Sequence, residues 1–261
     1  MENILVDWSA SAIIAANEQN LGDLTVAIAQ AGGREVYVGE AFSWVALDLD
    51  VWPNYVFRFN FTGQNERESM AALKQHIAEG KAPNWLILNH TSSQNEWLMK
   101  NGFEKKNEST GMAIDLAEAP PDLPGLESLV VSPVTDKIVL NDWAETVSAG
   151  MWRGEVDLER AAFLKLIEQG DIQGYVAYLD QQPVATATLF LSAGVAGIYL
   201  VTTRPAYRKR GIGTIVTLAA LQAARRLGYR VGILQATEAG RPVYERIGFK
   251  ELCRFNYYAL Y

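Results

Sequence analysis

The stretch Gly197–Leu227, GIYLVTTRPAYRKRGIGTIVTLAALQAARRL, decides how this chain is read. It opens with apolar and β-branched residues from Ile198 to Thr202, the pattern of a strand. Pro205 ends that strand, because it has no N–H to donate to a ladder. Arg208, Lys209 and Arg210 follow, and then Gly211-Ile212-Gly213. From there Ile212, Ile215, Val216, Ala219, Ala223 and Leu227 recur at helical spacing, and Gly228 ends the helix. A helix N-terminus leaves backbone N–H groups unpaired and carries partial positive charge. Glycines leave those groups uncovered, and three cations stand at the entrance, so the segment suits a pyrophosphate. The same R-x-x-G-x-G string also suits a solvated basic turn ahead of a surface helix. Other phosphate loops fit less well. There is no G-x-x-x-x-G-K-[ST], and no G-x-G-x-x-G after a strand with a downstream acid for a ribose.

Working outward, the spacing predicts strands over Tyr175–Asp180, Pro183–Leu191 and Val231–Gln235. A short helix with Gly248-Phe249 at its end and a strand over Phe255–Leu260 complete this half. The N-terminal part carries the same punctuation. Its strands are Trp44–Leu49, Tyr55–Phe61 and Trp85–Asn89, with a helix over Glu66–Glu79. Gln94–Phe103 then reads as a helix and a Gly-Phe turn, and Met112–Leu116 as a strand. In both halves the glycine caps the helix in the left-handed conformation and the phenylalanine returns to the core. Between them LAEAPPDLPG, with three prolines, continues neither helix nor central strand. The expectation is an α/β fold built from a duplicated module, a mixed sheet with flanking helices. Residues 1–116 form the first domain, 117–125 a linker and 126–261 the second.

The bulk numbers narrow the function classes. Of 261 residues, 49% are hydrophobic and 20% charged, as in ordinary globular chains. The net charge of −7 argues against a nucleic-acid partner and favours cationic small molecules such as amines. Cys253 stands alone, so no intrachain disulfide forms, and with only His76 and His90 no His- or Cys-rich metal site is expected. The N-terminus has no basic stretch before an apolar one, and no apolar run is long enough to span a bilayer. The expected location is the cytoplasm, away from membranes.

Two motifs in order, Arg208-Lys209-Arg210-Gly211-Ile212-Gly213 and then Gln235 with Tyr244-Glu245-Arg246-Ile247-Gly248-Phe249, resemble the GNAT superfamily of acyl-CoA N-acyltransferases. The resemblance runs from about Ser128 to the C-terminus and is architectural before the linker. It implies tandem GNAT-like modules, with acetyl-CoA as co-substrate and a small-molecule or peptide amine as acceptor. It implies that backbone amides from Arg210 through Ile212 and Gly213 to Thr214 hold the CoA pyrophosphate behind Arg208 and Lys209. Leu200 and Val201 would pair with the pantetheine arm as an added strand, near a backbone N–H that stabilises the oxyanion. Tyr244 would be the general acid that protonates the leaving thiolate, or else a core phenol bonded to water. For the base, Glu238 and Glu155 are the carboxylates in range, and both also suit solvated surface positions. Trp152 suits an acceptor pocket or the core. The first half departs from the pattern. Thr62-Gly63-Gln64-Asn65 holds one glycine and no cation cluster, and Leu98 stands where the second half has Tyr244. That half is expected to bind no CoA and to wall the acceptor pocket or cover the sheet. Alternatives are a longer acyl or aminoacyl donor, or a non-catalytic acyl-CoA sensor or structural partner.

Overall fold

Gly102 and Gly248 both take the left-handed conformation, φ 88° and 112°, and both end a helix. Phe103 and Phe249 behind them are buried, as the Gly-Phe punctuation requires. The computed structural model that shows this describes residues 4–46, 54–60, 65–89, 92–118, 126, 128–151 and 160–261. The first half runs α1 (Ala10–Ala31), β1 (Val36–Val38), β2 (Ser43–Val45), β3 (Val56–Phe57), α2 (Glu66–Ala78), β4 (Trp85–Asn89), α3 (Ser92–Lys100) and β5 (Glu104–Asp115). The second runs β6 (Leu129–Pro133), α4 (Lys137–Met151), α5 (Arg160–Gln169), β7 (Ile172–Leu179), β8 (Gln182–Ser192), β9 (Val195–Thr203), α6 (Ile212–Arg226), β10 (Val231–Ala236), α7 (Arg241–Ile247) and β11 (Lys250–Ala259). The halves keep one register: Glu66 stands to Ile212 as Trp85 to Val231 and Gly102 to Gly248, each pair the same number of positions apart. The modules are duplicated units in a mixed α/β fold.

Among the described residues eleven strands form one sheet, in the order β1-β2-β3-β4-β11-β5-β10-β9-β8-β7-β6. The halves therefore exchange their last strands. β11 pairs with β4, and β5 pairs with β10, both antiparallel. β5 and β11 lie side by side, paired from Lys250 with Ala113 to Ala259 with Glu104, with register shifts between Glu251 and Cys253 and between Tyr257 and Tyr258. These two strands begin directly after the Gly-Phe turns. They are longer than the Met112–Leu116 and Phe255–Leu260 segments read from apolar runs, because Glu104–Glu108 and Lys250–Glu251 are polar and still pair. In the first half β2 and β3 are shorter than expected among the described residues. Residues 47–53, 61–64 and 119–125, which hold parts of those strands and most of the linker, lie outside the described residues.

The sheet is covered on both faces, as the strand alternation dictates. On β7, Val176 packs with Leu24 and Ile28 of α1, Trp143 of α4 and Phe163 of α5. Its neighbours Tyr175 and Ala177 pack with Ile212, Val216, Leu218 and Leu221 of α6 on the other face. Leu227, read as part of the apolar stripe of α6, is exposed instead. Helix α1 was not foreseen. Ser9 caps it by accepting from the Ala12 N–H at 3.3 Å, and it lies against α5 and over β8 and β9. Its inward face carries Asn17 and Asn20, both fully buried, among Ile13, Leu21, Leu24 and Ile28.

Candidate active site

Strand β9 is the element around which the site is built. It pairs with β10 only at Ala196–Gly197 against Gly232–Ile233, and the two parallel strands diverge from Ile198 onward. β10 stays paired with β5 along its whole length, so the opening is on the β9 side. A register shift on β8 between Thr186 and Thr188 adds one residue to β9, a β-bulge. Leu200 takes φ 47° there, a conformation that costs a branched residue about 1–2 kcal/mol. The Thr186 hydroxyl offsets part of that cost by donating to the Leu200 carbonyl at 2.9 Å, in a fully buried setting.

The divergence opens a cavity of about 1000 Å³. Leu200, Val201, Gln235, Glu238 and Tyr244 line it from the second half. Tyr244 sits one turn before Gly248 on α7, half-buried, with its ring edge-on to Phe249 at 5.8 Å. Burial alone raises its pKa well above that of an ordinary phenol, so it is protonated throughout the neutral range. Gln235 donates to Asn17 of α1 at 2.6 Å, and Asn20 accepts from the Tyr199 hydroxyl at 2.7 Å. These buried amides fix α1 beneath the point where β9 and β10 part.

The glycine loop lies beyond the C-terminal end of β9 and is not part of the cavity lining. After Thr203 the chain makes a 3₁₀ turn, Pro205–Tyr207. Lys209 and Gly211 then take φ 61° and 79°, left-handed conformations of the kind that gather successive N–H groups on an anion. Helix α6 starts without a side-chain cap and without a carboxylate in its first turn. Its first closing bond runs from the Ile215 N–H to the Gly211 carbonyl, so the N–H groups before it have no partner from the helix. A Cβ on Gly211 would meet nothing within 4 Å, and one on Gly213 only the Thr203 hydroxyl at 3.4 Å. An uncapped, uncovered helix start among cations fits a pyrophosphate. The three cations divide their work. Arg208 donates to the carbonyls of Thr203 at 3.0 Å and Gly150 at 2.7 Å, tying the loop to the last turn of α4. Arg210 lies 6.0 Å from the Tyr207 ring, and Lys209 is exposed.

The far wall of the cavity comes largely from the first half, and the residues that make it were not singled out by the sequence reading. Tyr55, Trp85 and residues 107–110 line it, with Arg254 and Tyr257 of the exchanged β11. Glu108 there is bonded to Lys105 at 2.6 Å and to Arg254 at 3.1 Å. Trp152 and Glu155 lie outside the described residues. Among the described residues no cluster of His, Cys, Asp and Glu could hold a metal ion, and no helix is long and apolar enough to cross a membrane.

Residues 140–249 match the family model of the acetyltransferase (GNAT) family. The second half is a GNAT domain. Solved structures of GNAT proteins resemble the whole chain. A GCN5-related N-acetyltransferase from Sphaerobacter thermophilus is 17% identical, over 98% of this chain and 93% of that one, with a TM-score of 0.65. One from Kribbella flavida is also 17% identical, over 92% and 95%, at 0.60. A tandem GNAT protein from the clavulanic acid biosynthesis pathway is 13% identical, over 93% and 95%, at 0.60. Identities this low establish the fold that these GNAT proteins share with the chain. A search of curated proteins gives no significant match.

Proposed function

We propose that this GNAT chain transfers an acetyl group from acetyl-CoA to a primary amine, working in the cytoplasm. The observation that carries the reading is that β9 serves both ends of one path. Its bulge at Leu200–Val201 walls the cavity that also holds Tyr244, and its end leads into the uncapped start of α6. In this reading the N–H groups of Arg210, Gly211, Ile212, Gly213 and Thr214 hold the pyrophosphate, with Lys209 and Arg210 adding charge. Arg208 acts as a brace, since its guanidinium is bonded to two backbone carbonyls. Leu200 and Val201 offer the pantetheine arm a strand edge that β10 leaves open.

When bound, acetyl-CoA supplies an activated acyl group with a thiol as leaving group. The bulge frees a β9 N–H from the ladder, where it can meet negative charge developing on the acyl oxygen. Tyr244 keeps its proton at neutral pH and gives it to the departing sulfur. Among the described residues Glu108 is held by Lys105 and Arg254, and Glu238 lines the cavity exposed, so Glu238 or solvent takes the amine's proton. Residues 1–116 contribute acceptor wall and no second cofactor site. Calorimetric titration with acetyl-CoA tests the reading. One site per chain is expected, with micromolar affinity; no binding would leave a shared fold without the activity.

A further inference from the structure

Resting on that reading, we infer that the acceptor is a primary amine carried on an aromatic body, selected by a wall that the first half supplies. Five aromatic side chains line the cavity: Tyr55, Trp85, Tyr199, Tyr244 and Tyr257. Tyr55 and Trp85 belong to the first half. Tyr257 stands on β11 between Ile87 of β4 and Asn107 of β5, so strand exchange is what brings it there.

Among the described residues four charged groups line the cavity; Glu108, Arg241 and Arg254 are bridged within the protein, and Glu238 is exposed. Glu108 is bridged to Lys105 and Arg254, and Arg254 also to Glu251 at 2.6 Å. Arg241 lies 3.5 Å from Glu245 and 3.6 Å from Glu251. Glu238 can answer one ammonium, and the further charges of a polyamine or a phosphorylated amine would meet groups that already have partners. An aryl body gains ring contacts instead, and its ammonium head is attracted to a tyrosine face. Tyr55 adds ring surface alone: it is only 5% exposed, and its hydroxyl is sealed from the cavity.

The test is equilibrium binding of tyramine, phenethylamine and spermidine to the full chain by calorimetry, with acetyl-CoA titrated separately. Tyramine is expected to bind about tenfold more tightly than spermidine. Trp85→Leu should weaken both aryl amines about tenfold. Tyr55→Phe, which keeps the ring, should leave both unchanged. If Trp85→Leu fails to fold, the preference of the unaltered chain for phenethylamine over spermidine decides alone. Spermidine binding as tightly as tyramine, or aryl-amine binding unchanged by Trp85→Leu, overturns the inference. Acetyl-CoA binding with no aryl-amine binding sinks this inference and leaves the transferase reading. Aryl-amine binding that needs Trp85 but no acetyl-CoA binding supports the wall and sinks the transferase reading.

Discussion

Helices α2 and α6 start at equivalent places in the two modules, and their N-termini present opposite chemistry. Helix α6 begins behind Arg208, Lys209 and Arg210, with the open left-handed Gly211 and no acid in its first turn. Helix α2 begins after Asn65, φ −108°, and carries Glu66 and Glu68 in its first turn. Both helices point the same partial positive charge outward. In α2 two carboxylates answer that charge from within the chain; in α6 it is left for an anion to answer. The fold supplies the helix start twice, and the turn residues decide which one is left uncapped and open. The same contrast recurs one turn before each Gly-Phe. Leu98 is completely buried, whereas Tyr244 reaches the cavity.

The contrast can be broken most severely at Tyr244. Tyr244→Phe should slow turnover by about 100-fold or more while leaving acetyl-CoA affinity unchanged. Single-turnover rates beside calorimetry check this, and an unaltered chemical step would give the acid role to another group. Next is Gly213→Asp, which gives α6 the kind of first-turn acid that α2 carries. Acetyl-CoA affinity should fall more than tenfold, about 1.4 kcal/mol. Because only the Thr203 hydroxyl is near, the melting temperature should barely move, which separates charge from misfolding. Gly211→Ala strains a left-handed residue and should lower unfolding free energy by about 1–2 kcal/mol in urea titration. The smallest effect is expected from Glu66→Lys with Glu68→Lys. Acetyl-CoA stoichiometry should stay at one per chain, and a second site would show that first-turn charge alone makes one.

Much of the second half was legible, because its strands are apolar and β-branched and its helix is punctuated by Pro205, Gly211 and Gly228. Helix α1 was not, since Asn17, Asn20 and Gly22 occupy its inward face and break the apolar stripe that marks a buried helix. Those amides are inside because they bond to Gln235, Tyr199 and the Ser192 carbonyl, partners far away in sequence. The bulge at Leu200 was invisible for a similar reason: its extra residue is defined by pairing with β8. Arg208 was read with its neighbours as one cation cluster, yet Gly150, which it binds, lies in another helix. The residues of the cavity's far wall were the least legible part. Two equivalent Gly-Phe-strand endings give no sign that each strand is lodged in the other module.

Exchange of β5 and β11 also sets the order in which the chain can be finished. Translation delivers β4 early, but the strand that flanks it, Lys250–Ala259, comes only after β6 to β10 of the second module. Until that segment clears the ribosome, β4 and β5 each keep a raw edge, and exposed strand edges invite pairing with other chains. Synthesis of the first module therefore cannot be completed locally, and a nascent chain stalled before Lys250 is the species most in need of a chaperone.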